Sequence, residues 1–115
     1  QLQNDGFEVA RRITNNGIST ALVTMGKAGC VAMTQSESVH VAAPIVNVID
    51  SCGAGATFSA GFIYGHLQDW NLEDKVKFAV AAASLKCEVI GPRAFPVDQV
   101  WQLASGLDSI YRHLG

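Results

Sequence analysis

The apolar residues of this chain change period near its middle, and that change constrains the fold more than any other feature. Upstream of Asp50 they come in short β-rich runs separated by turns: "ISTALVTM" from Ile18 to Met25, then "CVAM", "SVHVAAP" and "IVNVID". Downstream they recur at helical spacing. Thr57 to Leu67 is followed by Val76, Ala79, Val80, Ala83 and Cys87, and then by Val100, Leu103, Leu107 and Ile110. Short apolar runs bounded by turn residues read as strands, and apolar residues three and four apart read as helix. A helix over Phe7 to Thr14, stopped by Asn15, Asn16 and Gly17, precedes the first run. The order is helix, strand, β-meander, three helices, which places the chain in the α/β class.

Finer expectations follow from the same pattern. The Ile18 to Met25 run suits a strand buried on both faces. The helix over Thr57 to Leu67 is apolar nearly all round, which predicts a central position. "NLED" at Asn71 to Asp74 resembles a capping box with Asn71 as N-cap. Pro96 is placed as a first-turn proline. The last amphipathic helix runs from Val100 through Ile110, weakened at Gly106; its apolar stripe is core packing rather than a partner groove. Trp70 and Trp101 are expected at the edge of the core.

Composition removes several function classes. A chain of 115 residues suits one domain, and 49% hydrophobic content allows a sizeable core. The net charge is −2 with Lys and Arg scattered, so there is no basic stripe for nucleic acid. No apolar run approaches the ~18 residues of a membrane span, and the opening residues do not resemble a secretion signal. Cys30, Cys52 and Cys87 form no C-x-x-C pair and read as reduced thiols in a cytoplasmic protein. His40, His66 and His113 lack ligand spacing, so no metal is assigned to them. "QLQNDGFEVARR" begins partway into a helix and reads as the start of a fragment or processed chain.

The junction between the two halves carries the chemistry. "NVIDSCGAGATFSAGFIYG" places a glycine turn, Gly53-Ala54-Gly55, between an apolar run ending at Asp50 and a small-residue helix expected to begin near Gly55 or Ala56. The first N–H groups of a helix have no internal partner, and the macrodipole favours negative charge there. Glycines let an anion approach the backbone. By spacing alone the turn suits either anion binding or a tight structural turn. It is neither a P-loop nor the dinucleotide fingerprint. "VTMGKAGC" also leaves a buried strand for a glycine turn. In one sheet two such turns lie where ligands of α/β sheets collect.

"VIDSCGAGATFSAGFIYG" closely resembles the C-terminal signature of the ribokinase/PfkB carbohydrate kinases, roughly D-T-x-G-A-G-D-x-F-x-x-G. "ALVTMGKAGCVAM" resembles that family's strand, T-x-G turn, strand unit, and "VKFAVAAASLKC" with "GPRAFP" looks like its adenine-side helix and loop. The resemblance covers nearly the whole chain. It implies a ribokinase-like three-layer α/β/α fold, of which residues 1–115 would be a single C-terminal portion: part of the sheet domain with flanking helices. The substrate-binding N-terminal half, its lid and the family's N-x-x-E magnesium motif have no counterpart here.

The resemblance also implies site residues. Gly53, Ala54 and Gly55 would form the anion hole for the transferred phosphoryl group. Thr24 and Gly26 would contact the nucleotide phosphates. Val80 would flank the adenine, although it is equally a core residue. Asp50 and the Cys52 carbonyl would shape a monovalent-cation loop; Gly91 falls near that loop and is grouped with the nucleotide-side residues. The implied cofactors are ATP and Mg2+, with K+ in many members, and the implied partner is a sugar-like small molecule. A homodimer is expected of the full-length protein. Lys27 and Arg93 are the cations nearest the expected phosphates, with Lys27 better read as a solvated surface residue.

The departure from the pattern is Ala56. The family has Asp there, whose carboxylate takes the proton from the substrate hydroxyl. Alanine offers no lone pair, and losing a positioned base costs ~10²–10⁴ in rate. A backbone anion hole survives the change. Three readings stay open: a carbohydrate kinase crippled at its base by an engineered or damaging substitution; a pseudokinase or nucleotide-binding module with a regulatory role, in which Ala56 is natural; and a structural piece with no activity of its own.

Overall fold

The structure, a computed structural model, describes residues 2–91 and 94–114. The chain divides into two compact units. One comprises the N-terminal segment up to Ala43 together with the residues from Asp108 onward, and the other is Pro44–Leu107.

The first unit is a helix on a sheet. Helix α1 (Leu2–Asn15) ends where Gly17 takes a φ of +93°, which bears out the stop read from the sequence but extends the helix toward the N-terminus. Strands β1 (Thr20–Thr24), β2 (Cys30–Thr34) and β3 (Glu37–Val41) form an antiparallel meander, with Val23 opposite Val31 and Val31 opposite His40. A fourth strand, β4 (Ser109–His113), pairs antiparallel with β3, Val39 facing Tyr111. Ala10 of α1 meets Ala21, Val31 and Met33 of the sheet, and Phe7, Ile13, Val23 and Met25 complete this core. Tyr111 Oη donates to the Glu37 carboxylate at 2.7 Å across the β3–β4 edge.

Between β1 and β2 the "GKAG" turn is a single 3₁₀ turn over Gly26–Ala28. It closes through Met25 N–H to the Gly29 carbonyl at 2.8 Å, and His40 Nε2 lies 2.7 Å from the Ala28 carbonyl oxygen. Gly29 has φ +90°, and a Cβ there would run into the Val41 carbonyl oxygen, so the turn requires glycine on both conformational and steric grounds.

The second unit is helical. Helix α2 (Ala54–Leu67) and helix α3 (Leu72–Cys87) pack closely, with the Ala79 Cα only 3.1 Å from where a Cβ on Gly61 would sit. Asn71 caps α3 as expected, its Oδ1 accepting the Asp74 N–H at 2.8 Å. Helix α4 (Val97–Ala104) lies against α3. Tyr64, Trp70, Phe78 and Trp101 join the three helices through ring contacts of 4.8–5.6 Å.

Five expectations are corrected. The Ile18 to Met25 run is not buried on both faces: β1 lies at the end of the strand order, with Thr20 and Thr24 exposed and only Ala21 fully buried. "IVNVID" forms no strand among the described residues; it is irregular, bent at Ile49, with Ile45, Val48 and Ile49 exposed, and has no neighbouring strand to satisfy its backbone. The last helix stops at Ala104 instead of running through Ile110. Gly106 sits in the turn that follows, and Ile110 lies exposed on β4, whereas Val100 and Leu107 are buried. Pro96 is the residue before α4, with ψ +143°, rather than inside its first turn. Helix α2 is not covered all round: Phe58, Gly61 and Gly65 are buried, while Ile63 and Leu67 are 56% and 72% exposed.

Candidate functional site

The turn before α2 is set by local chemistry. Gly53 stands at the helix N-cap in the left-handed region, φ +84°, and helix α2 begins at Ala54, slightly earlier than the sequence suggests. The Ala54 N–H is taken by the Ser51 carbonyl at 3.2 Å. Both the N–H and the Oγ1 of Thr57 donate back to the Gly53 carbonyl, at 3.0 and 3.1 Å. No acceptor among the described residues meets the N–H groups of Gly55 and Ala56. Both residues are exposed, and the first turn carries no acidic side chain. Two N–H donors at the positive end of a fourteen-residue helix, with no acidic side chain in its first turn, suit an anion.

Asp50 organises the approach to this turn. Its Oδ1 accepts the Cys52 N–H at 2.9 Å and its Oδ2 accepts the Gly91 N–H at 3.4 Å. Those two N–H groups, the Cys52 one foremost, hold its carboxyl below the usual carboxylate value, with help from the Lys86 charge and against slight desolvation. The N–H groups of Ile49 and Asp50 both bond the Cys87 carbonyl, at 2.7 and 3.0 Å. The turn is therefore tied to the C-terminal end of α3. Gly91 has φ +76° and belongs to the same hydrogen-bonded group as Asp50 and Cys52.

The remaining motif residues fall elsewhere. Thr24 and Gly26 are exposed at the β1 end and the 3₁₀ turn of the first unit, beside an equally exposed Lys27. Val80 is a buried residue of α3. Arg93 lies outside the described residues. Ala56 is exposed in the first turn of α2. Burial pushes the Cys30 thiol up to about 12, which keeps it protonated and inert. Among the described residues no three His, Cys, Asp or Glu side chains gather to hold a metal ion, and no helix is long and apolar enough to cross a membrane. A cleft of about 390 Å³ in the first unit is lined by Arg11, Thr14 and Gln35 among others, and by none of the motif residues.

One residue near the turn escapes the sequence reading. Lys86, in the last turn of α3, is only 4% exposed, and its Cε lies 3.7 Å from where a Cβ on Gly53 would be. The available signal was a lysine in an otherwise apolar helical run, "AAASLKC".

Residues 2–99 match the pattern of the pfkB family carbohydrate kinases. The ribokinase of Staphylococcus aureus strain COL is 40% identical over 80 residues, 68% of this chain and 26% of that protein. Among solved structures, an Arabidopsis thaliana ribokinase complexed with ribose and ATP superposes with a TM-score of 0.75 at 29% identity, over 84% of this chain and 32% of that one. Escherichia coli phosphofructokinase-2 in complex with potassium superposes with a TM-score of 0.80 at 24% identity, over 89% and 33%. The fold is the ribokinase-like α/β fold of these neighbours. The chain spans about a quarter of the length of the curated relatives it matches.

Proposed function

The chain belongs to the pfkB family of carbohydrate kinases, and we propose that it is a C-terminal part of such a kinase, binding the phosphates of ATP through the Gly53–Gly55 turn. The observation that carries this reading is the pair of unpartnered N–H groups at Gly55 and Ala56, at the start of a helix with no acidic residue in its first turn. Those N–H groups donate to negatively charged phosphate oxygens, and the helix dipole adds to the attraction. Gly53 in the left-handed region leaves the approach free of a side chain. Thr24 and Gly26 are the further phosphate contacts, with Val80 and Gly91 on the nucleotide side. A bound nucleotide supplies the phosphoryl group, and Mg2+ neutralises its charge. The residues that hold magnesium in this reading belong to the part of a full-length kinase that these residues do not match. The acceptor is a hydroxyl of a sugar-like small molecule. A homodimer and a cytoplasmic location complete the proposal.

Ala56 sets the limit on activity. At the position where the family pattern has Asp, a methyl group takes no proton from an attacking hydroxyl, while the backbone donors beside it are intact. Binding without efficient transfer follows, and that combination also fits a regulatory nucleotide-binding module. ATP with magnesium is expected to raise the thermal midpoint, because a ligand that binds only the folded state stabilises it, by about 2.7 kcal/mol at a hundredfold excess over Kd. An unchanged midpoint at millimolar ATP contradicts the nucleotide reading.

A further inference from the structure

His40 is only 9% exposed, and a polar ring so deeply placed needs a partner. Its Nε2 lies 2.7 Å from the Ala28 carbonyl oxygen. A carbonyl oxygen only accepts, so Nε2 carries the proton and donates. The distance is at the short end of the range for N–H to oxygen bonds. His40 stands on β3, which lies between β2 and β4 and is paired on both sides, at His40 itself with Val31 and Ile110. A side chain on such an interior strand is a firmer support than one on a loop.

The bond crosses from this strand to the last residue of the 3₁₀ turn over Gly26–Ala28. The other bonds of the turn are local. Met25 N–H donates to the Gly29 carbonyl at 2.8 Å, Ala28 N–H to the Met25 carbonyl at 3.1 Å and Gly29 N–H to the Gly26 carbonyl at 3.1 Å. Local bonds close a turn without fixing where it lies on the sheet. The His40 bond does fix it, and Gly29 seats the turn against the Val41 carbonyl of the same strand, where a Cβ has no room. The opposite side is open: Gly26 and Lys27 are exposed, and no atom lies within 4 Å of where a Cβ on Gly26 would be. The turn is thus held from β3 on one side and free to meet a ligand on the other.

We propose that His40 is a positioning residue for nucleotide binding: its bond to the Ala28 carbonyl holds the Gly26–Ala28 turn ready for the phosphates, so that binding does not have to order it. The inference rests on the reading above in which Thr24 and Gly26 contact the nucleotide phosphates. It adds a residue from outside the glycine motif, brought to the turn only by strand pairing. His40 touches no reacting atom.

The test is ATP affinity by titration calorimetry on the whole protein, with amide hydrogen exchange at Ala28 and Gly29 measured by NMR. Wild type is compared with His40→Leu, which loses the donor; His40→Gln, whose amide N–H reaches as far as Nε2; and Val39→Ala, which removes buried volume from the other face of the same strand. His40→Leu is expected to bind ATP about fivefold more weakly, the loss of one hydrogen bond, and to exchange faster at Ala28 and Gly29. His40→Gln is expected to regain wild-type affinity within about twofold, and Val39→Ala to lower the thermal midpoint with an unchanged Kd. A merely structural role for His40 would move the midpoint and not the Kd. A folded His40→Leu that binds ATP like wild type overturns the inference, as does a Val39→Ala that weakens ATP binding as much as His40→Leu. Should His40→Leu not fold, the wild-type exchange decides: slow exchange at Ala28 and Gly29 without ATP supports a turn held in advance, and exchange as fast as in an unstructured chain until ATP is added overturns it. No ATP binding by wild type contradicts the nucleotide reading itself, and this inference with it.

Discussion

At the scale of single residues, the site is a matter of a few backbone donors and who answers them. Asp50 answers Cys52 and Gly91, so its carboxylate is worth more to the folded chain than to the unfolded one. Its folded-state pKa lies below the ordinary 3.8. The sign follows from linkage: the stabilisation is fully present above the unfolded value and is lost as pH falls through the folded one. The stability gap between wild type and Asp50→Ala in urea is therefore expected to stay constant through the neutral range and to narrow below about pH 4. A gap that persists unchanged into acid would mean that the carboxylate contributes only as a space-filling side chain. The identity of this residue was legible because Asp50 precedes a glycine turn. Its second partner was not, because Gly91 is distant in sequence and only the fold brings its N–H to Oδ2.

At the scale of elements, legibility tracks how local the determining interaction is. The N-cap of α3 is a contact between residues three apart, and Asn71 was read directly from "NLED". Asn71→Ala is expected to cost about 1 kcal/mol of stability without changing nucleotide affinity, measured by chemical denaturation and calorimetry. The end of α1 at Asn15 and the GKAG turn were legible for the same reason, since glycine marks them. Strands were less so. "SIYRH" continues a helical spacing begun at Val100, yet it is a strand because β3 offers it a partner from the other end of the chain. "IVNVID" has strand composition and no partner strand among the described residues, so it remains irregular and exposed. A strand is a property of a pair, and one member of a pair cannot announce it.

At the scale of the whole molecule, the pattern across residues 2–99 places the chain in its family, while its length is about a quarter of the curated relatives it matches. The outward apolar face of α2, with Ile63 and Leu67 exposed, is what an all-round apolar helix becomes when one helix of its unit packs against one side of it. Phosphoryl transfer belongs to this scale, because it needs nucleotide, acceptor and base together. On the proposed function, the Gly53–Gly55 turn is an intact anion site followed by an empty base position at Ala56. The most direct measurement is transfer from ATP to a panel of sugars and nucleosides by the full-length protein carrying Ala56 or Ala56→Asp, with ATP affinity measured in parallel. Ala56→Asp is expected to raise kcat by about 10²–10⁴ while the ATP Kd stays nearly constant. An Ala56→Asp protein that binds both ATP and sugar but transfers no faster than the Ala56 form would contradict it.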